Sequence, residues 1–135
     1  MQLNPYLNFN GQCAEAFKFY EELFAGKITF MMTWGESPAA EQAPDMAPLI
    51  MHATLSLGEG TLMGADVPPD QYHKPQGINI SLHLQDKDAG ERIFQSLAEG
   101  GTVQMPFEET FWAAGFGACV DRFGIPWLVN CEKAS

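Results

Sequence analysis

Residues 16–31, AFKFYEELFAGKITFM, align without a gap on residues 90–105, GERIFQSLAEGGTVQM. The aligned pairs include Phe19 with Ile93, Tyr20 with Phe94, Leu23 with Leu97 and Gly26 with Gly100. Self-similarity at a fixed offset, here about 74 residues, is the mark of a duplicated structural unit. In each copy an amphipathic helical pattern runs into a Gly and then a β-rich segment. Apolar residues at 13, 16, 17, 20, 23 and 24 make one helical face, with Gly26 placed for a left-handed cap. In the second copy Ile93, Phe94, Leu97 and Ala98 do the same. There Asp88 is expected to start the helix, with Glu91 as its capping-box partner, and Gly100-Gly101 to end it.

Strands flank each helix. Before the first, Tyr6 to Asn10 alternates, with Leu7 and Phe9 on one side and Tyr6, Asn8 and Asn10 on the other. After it come strands at 27–34, 49–57 and 61–66, the last two joined by the turn Gly58-Glu59-Gly60. Residues 36–48 carry three prolines and read as a loop. Residues 67–77 read as a linker. Ile78 to Leu84 then alternates, with Ile78, Ile80, Leu82 and Leu84 on one face and Asn79, Ser81 and His83 on the other. Strands are expected at 102–105, 117–120 and 126–131, with a turn at Asp121 to Gly124 and a further short stretch near Phe111. Strand, helix and three strands, twice over, predict an α+β chain of two tandem βαβββ modules. Module one spans about residues 1–68 and module two about 78–135, within one domain of 135 residues.

Composition narrows the functional classes. Seventeen acidic against seven basic residues give a net charge of −10. The acids are scattered and no Lys/Arg cluster exists, which argues against nucleic acid and against anionic membranes. No apolar run approaches the roughly 20 residues of a membrane span, and the first residues lack a signal-peptide pattern. A cytoplasmic protein is expected. Cys13, Cys119 and Cys131 form no CxxC and are expected to be reduced and packed as small hydrophobes.

Glu108 to Trp127, EETFWAAGFGACVDRFGIPW, concentrates aromatic and polar groups. Trp112 and Phe116, beside the small Ala113-Ala114-Gly115, are candidate pocket walls; alternatively they plug the end of the sheet or fill a dimer interface. Adjacent Glu108 and Glu109 point to opposite faces of a strand, so one of them can serve as a desolvated general base. Asp66 either caps its turn or lies at the mouth of the site. Asp121 and Arg122 belong to turn chemistry, and Trp127 to the core. Tyr6, Asn8, Met63, Asn79, Ser81 and His83 complete the candidate binding face. His52 and His83 read most simply as hydrogen-bonded or exposed side chains, and His73 as solvated.

The stretches YLNFNGQCAEAFKFYEELFAGKI, LMGAD and ETFW…FG…DRFGIPW resemble the PhnB-like branch of the vicinal oxygen chelate superfamily, over essentially the whole chain. That superfamily includes glyoxalase I, the bleomycin- and fosfomycin-resistance proteins and the extradiol dioxygenases. The resemblance implies a half-barrel cleft with helices outside the sheet, a homodimer, and a small organic ligand. It also implies four metal-ligand positions, usually His, Gln or Glu, on the first and last strands of each module. These fall here at Tyr6 (or Pro5), Met63, Asn79 and Leu128, which are not such ligands, and no spacing among His52, His83, Asp66, Glu108 and Glu109 matches a ligand motif. No metal or cofactor is therefore expected. Relatives in this branch also carry a methyltransferase label, but Asn10-Gly11-Gln12-Cys13 is not the Gly-rich strand-to-helix turn of a Rossmann-type enzyme. The expected function is metal-independent binding of a small molecule. The alternative is a lyase, isomerase or dioxygenase with Glu108 or His83 as base.

Overall fold

The computed structural model describes residues 1–133. The chain divides into two compact units between His73 and Lys74, inside the stretch read as a linker. In the first unit β1 (Tyr6–Phe9) leads into α1 (Cys13–Leu23), followed by β2 (Lys27–Thr33), β3 (Ile50–Ser56) and β4 (Thr61–Asp66). The sheet order is β1-β4-β3-β2, with β1 parallel to β4 and the other pairs antiparallel. The second unit repeats this plan. There β5 (Ile80–Leu84), α2 (Lys87–Ala98), β6 (Thr102–Glu108), β7 (Ala113–Val120) and β8 (Pro126–Glu132) make a sheet ordered β5-β8-β7-β6, with β5 parallel to β8. Two βαβββ modules, each with a four-stranded mixed sheet, are thus the architecture.

Each helix covers one face of its own sheet. Leu7 and Phe9 of β1 are buried, as are Cys13, Ala16, Phe17 and Tyr20 of α1, and the rings of Phe9 and Phe17 meet edge-on at 6.1 Å. Gly64 of β4 makes room for this helix: a Cβ there would stand 2.9 Å from the Phe17 ring. In the second unit Trp127, Val129 and Cys131 of β8 are buried toward α2, and Gly90 of α2 lies against the Cys131 sulfur. Phe94 and Phe107 occupy the space left by Gly117 and Gly115. The opposite face of each sheet carries no helix of its own unit.

Several local expectations are corrected. Ala25, not Gly26, adopts the left-handed conformation after α1 (φ 53°). Gly26 is needed for close approach instead, because a Cβ would sit 2.6 Å from the Ser56 carbonyl. The cap of α2 is Asp86, whose Oδ1 accepts from the N–H groups of Asp88 (2.9 Å) and Ala89 (3.3 Å). Asp88 and Glu91 form no capping box there. Strand β5 begins at Ile80, so Ile78 and Asn79 precede it. Strands β6 and β7 are longer than expected. Pro106 stays inside β6 because that strand is the sheet edge and is bulged on both sides of Met105, so its missing N–H breaks no regular ladder. Residues 36–48 hold two short 3-10 turns, Ala40–Gln42 and Pro44–Met46.

Asp66, at the end of β4, is 1% exposed. Its Oδ1 accepts from the N–H of Gly11 (2.9 Å) and of Cys13 (3.0 Å), and its Oδ2 from that of Ile50 (2.9 Å). Its carbonyl accepts from the Trp34 indole N–H at 3.0 Å. The residue before α1, Gln12, makes no side-chain cap, so Asp66 supplies that acceptor from across the sheet. Replacement by Ala would strand two buried donors, the N–H groups of Cys13 and Ile50, and a part-buried third, that of Gly11. We expect Asp66→Ala to lower urea-unfolding stability by about 3–5 kcal/mol and Asp66→Asn by less, since the amide keeps an acceptor. A loss below about 1 kcal/mol for the Ala variant would show that water replaces the carboxylate there.

Candidate functional site

On the open face of the first sheet, strand pairing sets Tyr6 beside Met63, Met63 beside Thr54, and Thr54 beside Phe30. His52, one rung away on β3, sits among them. Its Nδ1 is 3.0 Å from the Tyr6 hydroxyl and its Nε2 is 3.2 Å from Thr54 Oγ1. The Tyr6 ring stacks on His52 at 5.6 Å, and Phe30 flanks it at 5.7 Å. A neutral imidazole has one donor and one acceptor nitrogen, and here both have a hydroxyl partner. The Tyr6 phenol is raised above its ordinary value, first by desolvation and second by nearby Cys13. This phenol is thus a hydrogen-bonding group at neutral pH. Asn8 shares the face and pairs with Ala65.

The open face of the second sheet has a different character. One rung runs His83, Asn130, Phe116, Glu108 across all four strands. These four share a face: Gly115 and Gly117 point toward Phe107 and Phe94 on the helix side, so Phe116 points away. His83 Nε2 is 2.9 Å from Ser81 Oγ, and its Nδ1 is 3.4 Å from Asn130 Nδ2. The Asn130 Oδ1 is buried without a hydrogen-bond partner. Trp112 packs on Phe116 (5.4 Å, 65°), and Phe111 packs on Trp112 (4.8 Å, 80°). Thr110 fixes the turn that carries these rings. Its N–H reaches the Ala113 carbonyl at 3.0 Å, and its Oγ1 accepts from the N–H groups of Ala113 (3.0 Å) and Trp112 (3.3 Å).

The candidate residues therefore separate. Tyr6, Asn8 and Met63 lie on the first open face; Ser81, His83, Glu108, Trp112 and Phe116 lie on the second. Glu108 is exposed to solvent rather than buried beside Trp112. Asp66 belongs to neither face, because its carboxylate is enclosed and both oxygens are taken by backbone N–H groups. Asn79 lies ahead of β5 in a groove of about 420 Å³ with Gly77, Ile78, Gln104, Val120 and Pro126. The sequence offers Phe30 and Asn130 no signal as site residues, and marks His52 only as a hydrogen-bonded or exposed side chain. Alternation placed His52 opposite Met51 and Ala53, but only the β3–β4–β1 register shows that this face is also that of Tyr6.

A model of the family described as 3-demethylubiquinone-9 3-methyltransferase matches residues 1–130. The chain belongs to this family. It is 47% identical to protein PA1353 from Pseudomonas aeruginosa, whose crystal structure superposes with a TM-score of 0.92 over 99% of each chain. A Bacillus cereus PhnB protein, itself described as a putative 3-demethylubiquinone-9 3-methyltransferase, is 23% identical, with a TM-score of 0.82 over 98% of this chain and 100% of that one. At 7% identity, the fosfomycin resistance protein FosX from Listeria monocytogenes shares the fold (TM-score 0.67, over 98% and 94% of the two chains). Solved structures from the glyoxalase and fosfomycin-resistance superfamily thus share the fold of this chain.

That superfamily implies a divalent cation, and the family description implies a methyl donor. The residues here fit neither in the usual form. Tyr6 pairs directly with Met63, and Leu128 pairs with Ser81 rather than with Asn79. Tyr, Met, Ser and Leu are a poor donor set for a divalent cation, lacking both carboxylate and imidazole. Among the described residues, no three His, Cys, Asp or Glu side chains gather as a cation site. For the methyl donor, two mixed sheets are not a doubly wound parallel one. The N–H groups of Gly11 and Cys13 at the β1–α1 turn are already occupied by Asp66.

All three cysteines are free and buried. Burial, and then the charge of Asp66, pushes the Cys13 thiol far up; burial and Asp121 push Cys119 up to about 11. Cys131 is raised by burial and by Asp86. None is a ready nucleophile near neutral pH. Stability is therefore full below about pH 8.5, where unfolded thiols are also protonated, and falls as pH rises through the folded values. We expect a thiol reagent at pH 8 to find no reactive cysteine in the native protein and all three after unfolding. Denaturant midpoints should decline above about pH 9; a fast-reacting native thiol would contradict this assignment.

Proposed function

We propose that the protein binds a small organic molecule, without a metal, on the open face of its second sheet. The observation that carries the reading is Trp112, 48% exposed and packed edge-on against Phe116, on the same face as His83, Ser81 and a buried, unpartnered Asn130 oxygen. Large rings left half in water beside unsatisfied polar groups are the usual makings of a small-molecule site. The aromatic pair offers dispersion and apolar area. The Asn130 oxygen and the His83 imidazole offer orientation, because a ligand donor arriving there gains a hydrogen bond that the free protein lacks. The fold of the drug-resistance relatives accommodates this role. The reading includes a cytoplasmic homodimer as its setting. Among the described residues, no helix is long and apolar enough to cross a membrane.

A second reading is an acid/base enzyme on the same face. His83 favours it, since Asn130 Nδ2 fixes the ring through Nδ1 and leaves Nε2 facing the Ser81 hydroxyl, a contact that a substrate proton can replace. Glu108 is the other candidate base.

A thermal-shift screen of small organic compounds should return stabilising hits that Trp112→Ala weakens by about 10-fold or more. Hits that keep full affinity in that variant would move the site elsewhere. Added zinc, manganese or nickel should leave the melting temperature unchanged, and elemental analysis should find less than one transition metal per chain. A stoichiometric metal would overturn the metal-free part of the reading. Turnover of any hit that falls by about 100-fold or more in His83→Gln or Glu108→Gln, with ligand affinity kept, would establish the enzymatic alternative.

A further inference from the structure

We infer that the ligand is an organic cation, a quaternary ammonium or protonated amine, taken between the rings of Phe111 and Trp112 with Glu108 as its counter-charge. This rests on the binding reading above and assigns its substrate class. Three observations converge on it. The first is the shape of the aromatic surface. Phe111 is 89% exposed and Trp112 48%, and their planes stand at 80° with centroids 4.8 Å apart. Two rings at right angles form the walls of a corner. Each presents the electron-rich face that attracts a cation, and Trp is the strongest of the aromatic side chains in this respect.

The second is the position of the acid. Glu108 is the ladder partner of Phe116, the ring on which Trp112 rests. Phe107, its neighbour, points to the helix side against Gly115 and Phe94, so Glu108 points to the side of Phe116. Among the described residues, no hydrogen bond or ion pair engages the Glu108 carboxylate. Its charge is available to a ligand. An anion would be repelled by it, and a neutral guest without an O–H or N–H donor would gain nothing from it. The chain's net charge of −10 adds a long-range attraction of the same sign.

The third is rigidity. Thr110 makes two bonds through Oγ1 and one through its N–H across the four-residue connection between β6 and β7. The corner is therefore built before a ligand arrives, and little ordering cost falls on binding.

The test titrates the full chain with choline and with its neutral carbon isostere, in which a tert-butyl group replaces the trimethylammonium. Binding is followed by calorimetry and by the NMR signal of the Trp112 indole N–H. Choline should bind at least about 10-fold more tightly than the isostere. Glu108→Gln should weaken choline by about 10-fold and leave the isostere unchanged, while Glu109→Gln should leave both unchanged. Raising salt from about 0.05 to about 0.5 M should weaken choline only. Trp112→Ala should remove binding, and Trp112→Phe should retain part of it, which guards against a folding defect in the Ala variant. Equal affinities for the two probes, or an indifferent Glu108→Gln, would overturn the cation assignment. If neutral compounds from the thermal-shift screen then bind with dependence on Trp112, the binding reading stands and only the ligand class is wrong. If nothing binds and Trp112→Ala turns a dimer into a monomer, the rings are covered by a second copy of the chain and both readings fall.

Discussion

A single carboxylate, that of Asp66, gathers three separate pieces of backbone in the first unit. It meets the turn before α1, the first residue of that helix and the start of β3, while the carbonyl of the same residue takes the Trp34 indole. An ionised acid enclosed this fully is tolerated only when its lone pairs are occupied by donors, and here they are. The second unit solves the same problem with two acids. Asp86 caps α2 from its own N-terminus, and Asp121 holds the β7–β8 turn through Phe123, Ile125 and the Trp127 indole. In both units the loops are tied by carboxylates, buried at Asp66 and Asp121 and exposed at Asp86, rather than by disulfides. The buried thiols next to them remain protonated partly because those charges are close.

With the termini tied in this way, the two faces of each sheet have separate tasks. One face is closed by the helix, and glycines set how near it comes. The other is left to side chains, and the two units fill it differently. The first places a histidine within a ring of hydroxyls and aromatics. The second places an aromatic turn beside an acid and an amide. Strand pairing sets Tyr6 beside Met63 in the first sheet and Ser81 beside Leu128 in the second.

The duplicated plan was legible because periodicity is local: Leu7 and Phe9, or Phe94 and Leu97, reveal a buried face within a few residues of each other. What was not legible depends on distant partners. Pro106 and Gly115 look like strand breakers until the edge position of β6 and the ring of Phe107 are known. Asn79 and Ser81 share an alternation pattern, and only the pairing with β8 shows which of them faces Leu128. Asp66 resembled a residue at the rim of a site because its donors lie 16 to 55 positions away in the chain. Trp112, Phe116, His83 and Ser81 were proposed from composition and alternation, whereas the surroundings of His52 and Asn130 needed the register.

The Thr110 turn joins the edge strand β6 to β7 and takes no part in the loop ties of Asp86 or Asp121. Exposed Phe111, Trp112, Glu108 and Glu109 bury little core between them. Changes in these four residues should therefore leave foldedness almost untouched. On the proposed binding reading, a lineage built on this chain can explore new ligands through residues 108, 109, 111 and 112, with Thr110 kept to hold the turn, without first acquiring compensating mutations elsewhere.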